Sequence, residues 1–122
     1  MKYPLRKVLI IDDDARNIFA LKAVLKSRGF DVVTASGATE GMKVLRESDV
    51  GVVLLDMMMP DIDGYQAIGL IRELDENIPV ISVTAQAMVG DRERCIAAGA
   101  RAYVAKPVDV DELVGLLNEF NS

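Results

Sequence analysis

Short apolar runs alternate with amphipathic stretches along the whole chain. The runs are VLII (8–11), VVTA (32–35), VGVVLL (50–55), VISV (80–83) and AYVA (102–105). Each is too short for a helix and rich in β-branched residues, which predicts strands. Three of them are apolar nearly throughout, the pattern of parallel strands covered on both faces. Between the runs the apolar spacing becomes helical. Leu21, Val24 and Leu25 form one stripe before Gly29, and 39–46 brings Met42 and Leu45 together. The segment 65–74 aligns Ile68, Ile71 and Leu74 and ends before Pro79. The weakest periodicity lies in 88–98, which contains Gly90 and stops at Gly99. A last helix follows Pro107 and carries Leu113, Leu116, Leu117 and Phe120. Five β-α units in series predict the α/β class, a parallel sheet with helices on both faces and right-handed crossovers. No linker, repeat or low-complexity segment divides residues 1–122, so one domain is expected.

Composition narrows the chemistry. With 122 residues, 51% of them hydrophobic, the chain can build one core without staples. It has no histidine, which removes imidazole metal sites, Ser-His-Asp and Cys-His catalysis, and a self-phosphorylating histidine. A lone cysteine, Cys95, forms neither an internal disulfide nor a thiolate metal site, and its helical flanks predict a semi-buried thiol. The net charge of −5 disfavours nucleic acid and anionic membrane surfaces as direct partners. No apolar run approaches the roughly 20 residues of a membrane span, and MKYPLRK lacks a signal-peptide core. A soluble, cytoplasmic protein is expected.

In open α/β sheets ligands bind beyond the carboxyl ends of the strands, so the polar residues that end the strands matter most. The first strand ends in Asp12, Asp13 and Asp14, the third in Asp56, the fourth in Thr84 and the fifth in Lys106, before Pro107. Each has a plainer reading alone: Asp14 as a helix cap, Asp56 as a loop carboxylate, Thr84 as a strand-end hydroxyl, Lys106 as a surface charge. Together they place acids, a hydroxyl and an amine on one sheet edge. Carboxylates about 4 Å apart repel by roughly 4 kcal/mol at an effective dielectric near 20, so three of them need a cation. Oxygen ligands without His or Cys select a hard ion, and a water-accessible site suits Mg²⁺. With Lys106 and Thr84 opposite, such an edge can neutralise a phosphoryl group in transfer, and a carboxylate can accept it as an acyl phosphate.

These residues resemble the receiver domain of two-component response regulators over essentially the whole chain. The resemblance rests on VLIIDDD (8–14), VVLLDMMMPDIDG (52–64), SVTA (82–85) and YVAKP (103–107). It implies a flavodoxin-like three-layer α/β/α fold with strand order 2-1-3-4-5. It also implies that Asp56 is the phosphoacceptor, that Asp13 touches Mg²⁺ directly and Asp12 often through water, and that Met58 lends its backbone carbonyl to the metal. Thr84 matches the hydroxyl drawn to the phosphoryl group, Lys106 the site lysine with an often cis bond to Pro107, and Tyr103 the switch aromatic. The implied partners are a histidine kinase or histidine phosphotransfer protein and a downstream protein target. Weak self-phosphorylation and self-hydrolysis make this a switch and not an enzyme.

Further features stay open. Met58 and Gln86 occupy positions that tune phosphoryl lifetime in such proteins, whereas Met59 reads as loop packing. Phe19 falls nearly opposite the stripe of the first helix. Exposed, it would be a docking anchor for the kinase or phosphotransfer partner; folded down, it would pack on a neighbouring helix. The run ARNIFAL (15–21) also resembles receivers attached to hybrid sensor kinases. One rival is a haloacid-dehalogenase-type enzyme using Asp12 in Asp12-x-Asp14, although Arg16 and the lack of a cap segment do not fit it. A flavin module lacks its phosphate loop and a tryptophan. A docking module that has lost phosphorylation would not need the complete acidic set.

Overall fold

The computed structural model describes residues 7–85 and 89–120. Strands and helices alternate strictly: β1 (Lys7–Ile11), α1 (Ala15–Ser27), β2 (Val32–Ala35), α2 (Ala38–Glu47), β3 (Val50–Asp56), α3 (Gly64–Leu74), β4 (Val80–Thr84), α4 (Asp91–Ala98), β5 (Ala102–Ala105) and α5 (Val110–Phe120). The strands form one parallel sheet in the order β2-β1-β3-β4-β5. Every strand lies within two residues of its sequence-predicted run.

Strand alternation sorts the core into two layers. Leu9, Ile11, Val53 and Leu55 face α2, α3 and α4, where they meet Leu45, Ile68, Ile71 and Cys95. Val8, Ile10, Val52 and Leu54 face the other way, toward Leu25 of α1 and Leu113 and Leu117 of α5. The central strands are apolar throughout because both their faces are covered. The strand order reverses between β1 and β3, the switch point at which an open parallel sheet has its crevice at the carboxyl ends of the strands.

Three local expectations change. Leu74 is exposed (39%) although it continues the Ile68–Ile71 spacing, because α3 ends there and Ala67 completes the buried stripe instead. Helix α4 begins at Asp91 after Gly90 in a left-handed conformation, so Gly90 precedes the helix instead of interrupting it. Cys95 is fully buried (1%), not semi-buried. Gln86 and Met88 lie outside the described residues.

Two glycines are required by geometry. A Cβ on Gly64 would stand 3.0 Å from the Met57 Cα, so glycine lets α3 start against the loop after β3. Gly99 has φ +123 and ends α4, and a Cβ there would overlap the Arg72 side chain. Gly99→Ala is expected to cost about 1–3 kcal/mol for the backbone alone. Gly69→Ala, in open space on α3, should instead stabilise by about 0.5–1 kcal/mol. Urea melts with unchanged m-values check both signs.

Candidate functional site

The three chain segments that carry the charged residues are fixed by backbone bonds at the sheet edge. Asp12 N donates to Ala35 O (3.1 Å), Met57 N to Val83 O (2.9 Å) and Lys106 N to Thr84 O (2.8 Å). Each continues a strand ladder just past the strand, so Asp12, Asp56 and Lys106 leave rigid backbone. Asp14 caps α1, its carboxylate accepting from Arg16 N at 2.9 Å. The Lys106–Pro107 peptide is cis.

Asp12, Asp13 and Asp56 each bring one carboxylate oxygen within 4.8 Å of the others. Lys106 Nζ lies 3.8 Å from Asp12 Oδ2 and 3.8 Å from Asp56 Oδ1. Asp12 and Asp56 are buried (6% each), whereas Asp13 is exposed. The backbone orients both buried acids: Asp14 N donates to Asp12 Oδ1 (2.9 Å) and Met58 N to Asp56 Oδ1 (3.0 Å). Three carboxylates face one ammonium, and the donor set is all oxygen. A hard divalent cation fits it, with Asp12, Asp13 and Asp56 as the ligating side chains.

Burial pushes the Asp56 carboxyl above the ordinary aspartate range. The Met58 amide opposes that shift, Asp12 reinforces it by repulsion, and Lys106 pulls it back.

The other sequence-singled residues divide around this cluster. Thr84 ends β4, is buried, and lines a cavity of about 170 Å³ with Met57, Met58, Tyr65 and Tyr103. Tyr103 packs its ring partly into the α3–α4 side of the core, and its buried hydroxyl has no hydrogen-bond partner among the described residues. Burial also raises its pKa. Met58 is exposed beside the acids, and Met59 is buried as loop packing. Phe19 is 77% exposed on α1 and does not fold onto a neighbouring helix. Two contacts carried no signal by residue type. Asn17 Nδ2 donates to Asp12 Oδ2 at 3.4 Å. The Arg94 guanidinium lies 4.6 Å from the centre of the Tyr65 ring, tying α4 to α3.

A family model described as the response regulator receiver domain matches residues 8–118, and the chain belongs to that family. It is a receiver domain of two-component phosphorelay systems, a signalling switch and not a member of an enzyme family such as the haloacid dehalogenases. The sensor histidine kinase RcsC of Salmonella typhi is 35% identical over 106 residues, which make up 87% of this chain and 11% of that one. The chain thus spans about a tenth of that relative's length. The polar-differentiation response regulator DivK of Brucella anthropi is 28% identical over 117 residues, 94% of this chain and 95% of that protein. A response regulator receiver domain protein from Clostridium thermocellum has the same fold at TM-score 0.88 and 31% identity, covering 94% of this chain and 93% of the other. No helix among the described residues is long and apolar enough to cross a membrane.

The raised Asp56 pKa has a sign in stability. Between its unfolded value, near 3.8, and its higher folded value, the folded state holds more proton. Metal-free stability from this group is therefore full below the unfolded value and is lost as pH rises through the folded one. Asp56→Asn should raise the neutral-pH melting temperature in EDTA by roughly 4 °C, on the scale of about 1 kcal/mol for a small domain. The gap to wild type should close as pH falls toward 3.8. Thermal melts across pH test it, and an equal gap at every pH would count against the electrostatic origin.

Proposed function

We propose that Asp56 accepts a phosphoryl group from a phosphohistidine, assisted by Mg²⁺, and that the modified domain changes which partners it binds. The observation that carries this reading is the meeting of Asp12, Asp13 and Asp56 with Lys106 at one sheet edge. An Asp56 carboxylate oxygen attacks phosphorus in line; the P–O bond forms as the donor's P–N bond breaks, and the imidazole leaves with a proton from solvent. The product is an acyl phosphate, which water later cleaves to inorganic phosphate and the free carboxylate. Asp12, Asp13, Asp56 and the Met58 carbonyl would hold Mg²⁺, which would supply charge neutralisation of the phosphoryl oxygens. Lys106 sits where it can swing from Asp12 onto a phosphoryl oxygen. Thr84 donates a neutral hydrogen bond to another, and Tyr103 follows into the space Thr84 vacates. This biases the surface of α4, β5 and α5 between two populations that partners distinguish.

The donor is a histidine kinase or a histidine phosphotransfer protein, and a downstream protein reads the outcome. The sensor histidine kinases among the relatives support the first assignment. Exposed Phe19, on the helix that starts at the acidic edge, is the docking anchor for the donor. We assign the chain to the cytoplasm as a single domain over 1–122, with neither nucleic acid nor membrane as a direct partner.

Labelling with a small phosphodonor such as phosphoramidate tests the chemistry. Wild type should take one phosphoryl group with Mg²⁺ and none in EDTA, and Asp56→Asn should take none. Label on Asp12, or label that persists in Asp56→Asn, would overturn the assignment. Phe19→Ala should slow transfer from a phosphohistidine protein by about thirtyfold, the scale of a docking hot spot, and leave small-donor labelling unchanged. Equal slowing of both would discard the docking role.

A further inference from the structure

Asp12 Oδ2 faces two nitrogens. Asn17 Nδ2 donates to it from the first turns of α1 at 3.4 Å, and Lys106 Nζ stands 3.8 Å away. The other oxygen, Oδ1, is already taken by Asp14 N at 2.9 Å. Asp12 is buried, so an Oδ2 that lost every donor would be a costly desolvated charge. The same Lys106 is shared with Asp56 Oδ1 at 3.8 Å, too long at either end for a tight bond. Lys106 is therefore held between two acids while Asn17 supplies Asp12 with a second, neutral donor. Asn17, Asp12, Asp56 and Lys106 all border the cavity of about 300 Å³ between α1 and the start of α5, so no side chain fills the space around the lysine head.

We infer that Asn17 is a positioning residue for phosphorylation: by holding Asp12 Oδ2 it releases Lys106 from Asp12 to meet the phosphoryl group on Asp56. This rests on the phosphoacceptor reading of Asp56. The energetic logic is a competition. In the free protein Lys106 stabilises Asp12 and Asp56 together. Once Asp56 is phosphorylated, the ammonium is worth more against the phosphoryl oxygens, but leaving Asp12 costs whatever bond Asp12 cannot replace. The Asn17 amide replaces it at once, without adding charge. Without Asn17, Lys106 becomes the remaining side-chain donor to Oδ2 among the described residues and is held back. Metal binding responds differently. Lys106 already stands beside Asp12 in the unmodified protein, with or without the Asn17 amide, so Mg²⁺ affinity there does not fall.

The test separates those two quantities. Purified wild type, Asn17→Ala and Asn17→Gln are compared for Mg²⁺ affinity, for affinity toward the phosphoryl mimic beryllofluoride with Mg²⁺ present, and for labelling rate by phosphoramidate. Asn17→Ala should weaken mimic binding and slow labelling by about fivefold to tenfold, the scale of one ordinary hydrogen bond. Its Mg²⁺ affinity should match or exceed wild type. Asn17→Gln, which keeps the amide on an exposed helix position, should recover most of the loss. In a Lys106→Ala background, Asn17→Ala should add little, because the residue acts through the lysine. A parallel loss of Mg²⁺ affinity, no rescue by glutamine, or full additivity with Lys106→Ala would each overturn the inference. If wild type takes label normally and Asn17→Ala equals it, this inference fails while the phosphoacceptor reading stands. A wild type that takes no label sinks both.

Discussion

Three carboxylate oxygens held within 4.8 Å of one another, opposed by a single ammonium, set the constraint on which the rest of this structure depends. Each like-charged contact near 4 Å costs roughly 4 kcal/mol at an effective dielectric near 20, and burial of Asp12 and Asp56 removes much of the solvent that would screen it. Left to itself such a cluster would splay. It stays because each buried acid is the first residue past a strand or the last one in it, and is pinned by a backbone amide two residues on. The fold thus accepts local electrostatic strain at its edge in exchange for a site whose charge balance any added cation or phosphoryl group must alter. That is what a switch requires of its trigger.

The sheet topology makes the convergence possible. In the order β2-β1-β3-β4-β5, the carboxyl ends of β1 and β3 lie side by side, and β5 reaches the same edge two strands away. Lysine, with its long flexible stem, is suited to spanning that gap, and a shorter side chain at 106 could not reach both acids. The two core layers then give the site two different neighbourhoods. On the α1–α5 side an apolar cavity bordered by Leu21, Val24 and Val108 surrounds the lysine, and it explains why the stripe of α1 is only half-buried at its first two positions. On the α3–α4 side Thr84 and Tyr103 share a smaller chamber with Tyr65. In the proposed switch the charge event would belong to the edge, its chemical adjustment to the first chamber, and its mechanical consequence to the second.

Much of this was readable from the chain because its signals are of the kinds that sequence carries well. Parallel strands covered on both faces must be apolar throughout, so β1, β3 and β4 announce themselves, and the residues that end them are found by counting. The motif from Asp56 to Gly64 is legible for a reason visible in the packing: Gly64 is tight against the Met57 backbone, so the spacing from acid to glycine is sterically set. What failed was set by tertiary circumstance. Leu74 keeps helical phase with Ile71 but falls where α3 leaves the sheet, and phase says nothing about where a helix stops. Gly90 is indistinguishable in sequence from a helix-interior glycine. Asn17 and the Arg94–Tyr65 contact depend on side-chain reach across elements, which no local pattern encodes.

The second chamber bears on the proposed exchange between two populations. Tyr103 turned inward buries a large part of its ring, worth about 1.5–3 kcal/mol for a side chain of this size. The same position leaves its buried hydroxyl without a partner among the described residues, a penalty of about 1–3 kcal/mol. The two terms oppose each other and are of the same order. In the proposed switch, withdrawal of Thr84 from the shared cavity would enlarge the space available to the ring and bias that balance. Arg94 over Tyr65 fastens α4 to α3, so the proposed change would reach the surface as a shift of a helix that is still packed. Phenylalanine in place of Tyr103 would remove the desolvation cost of the buried oxygen and, in the proposed switch, would favour the inward placement.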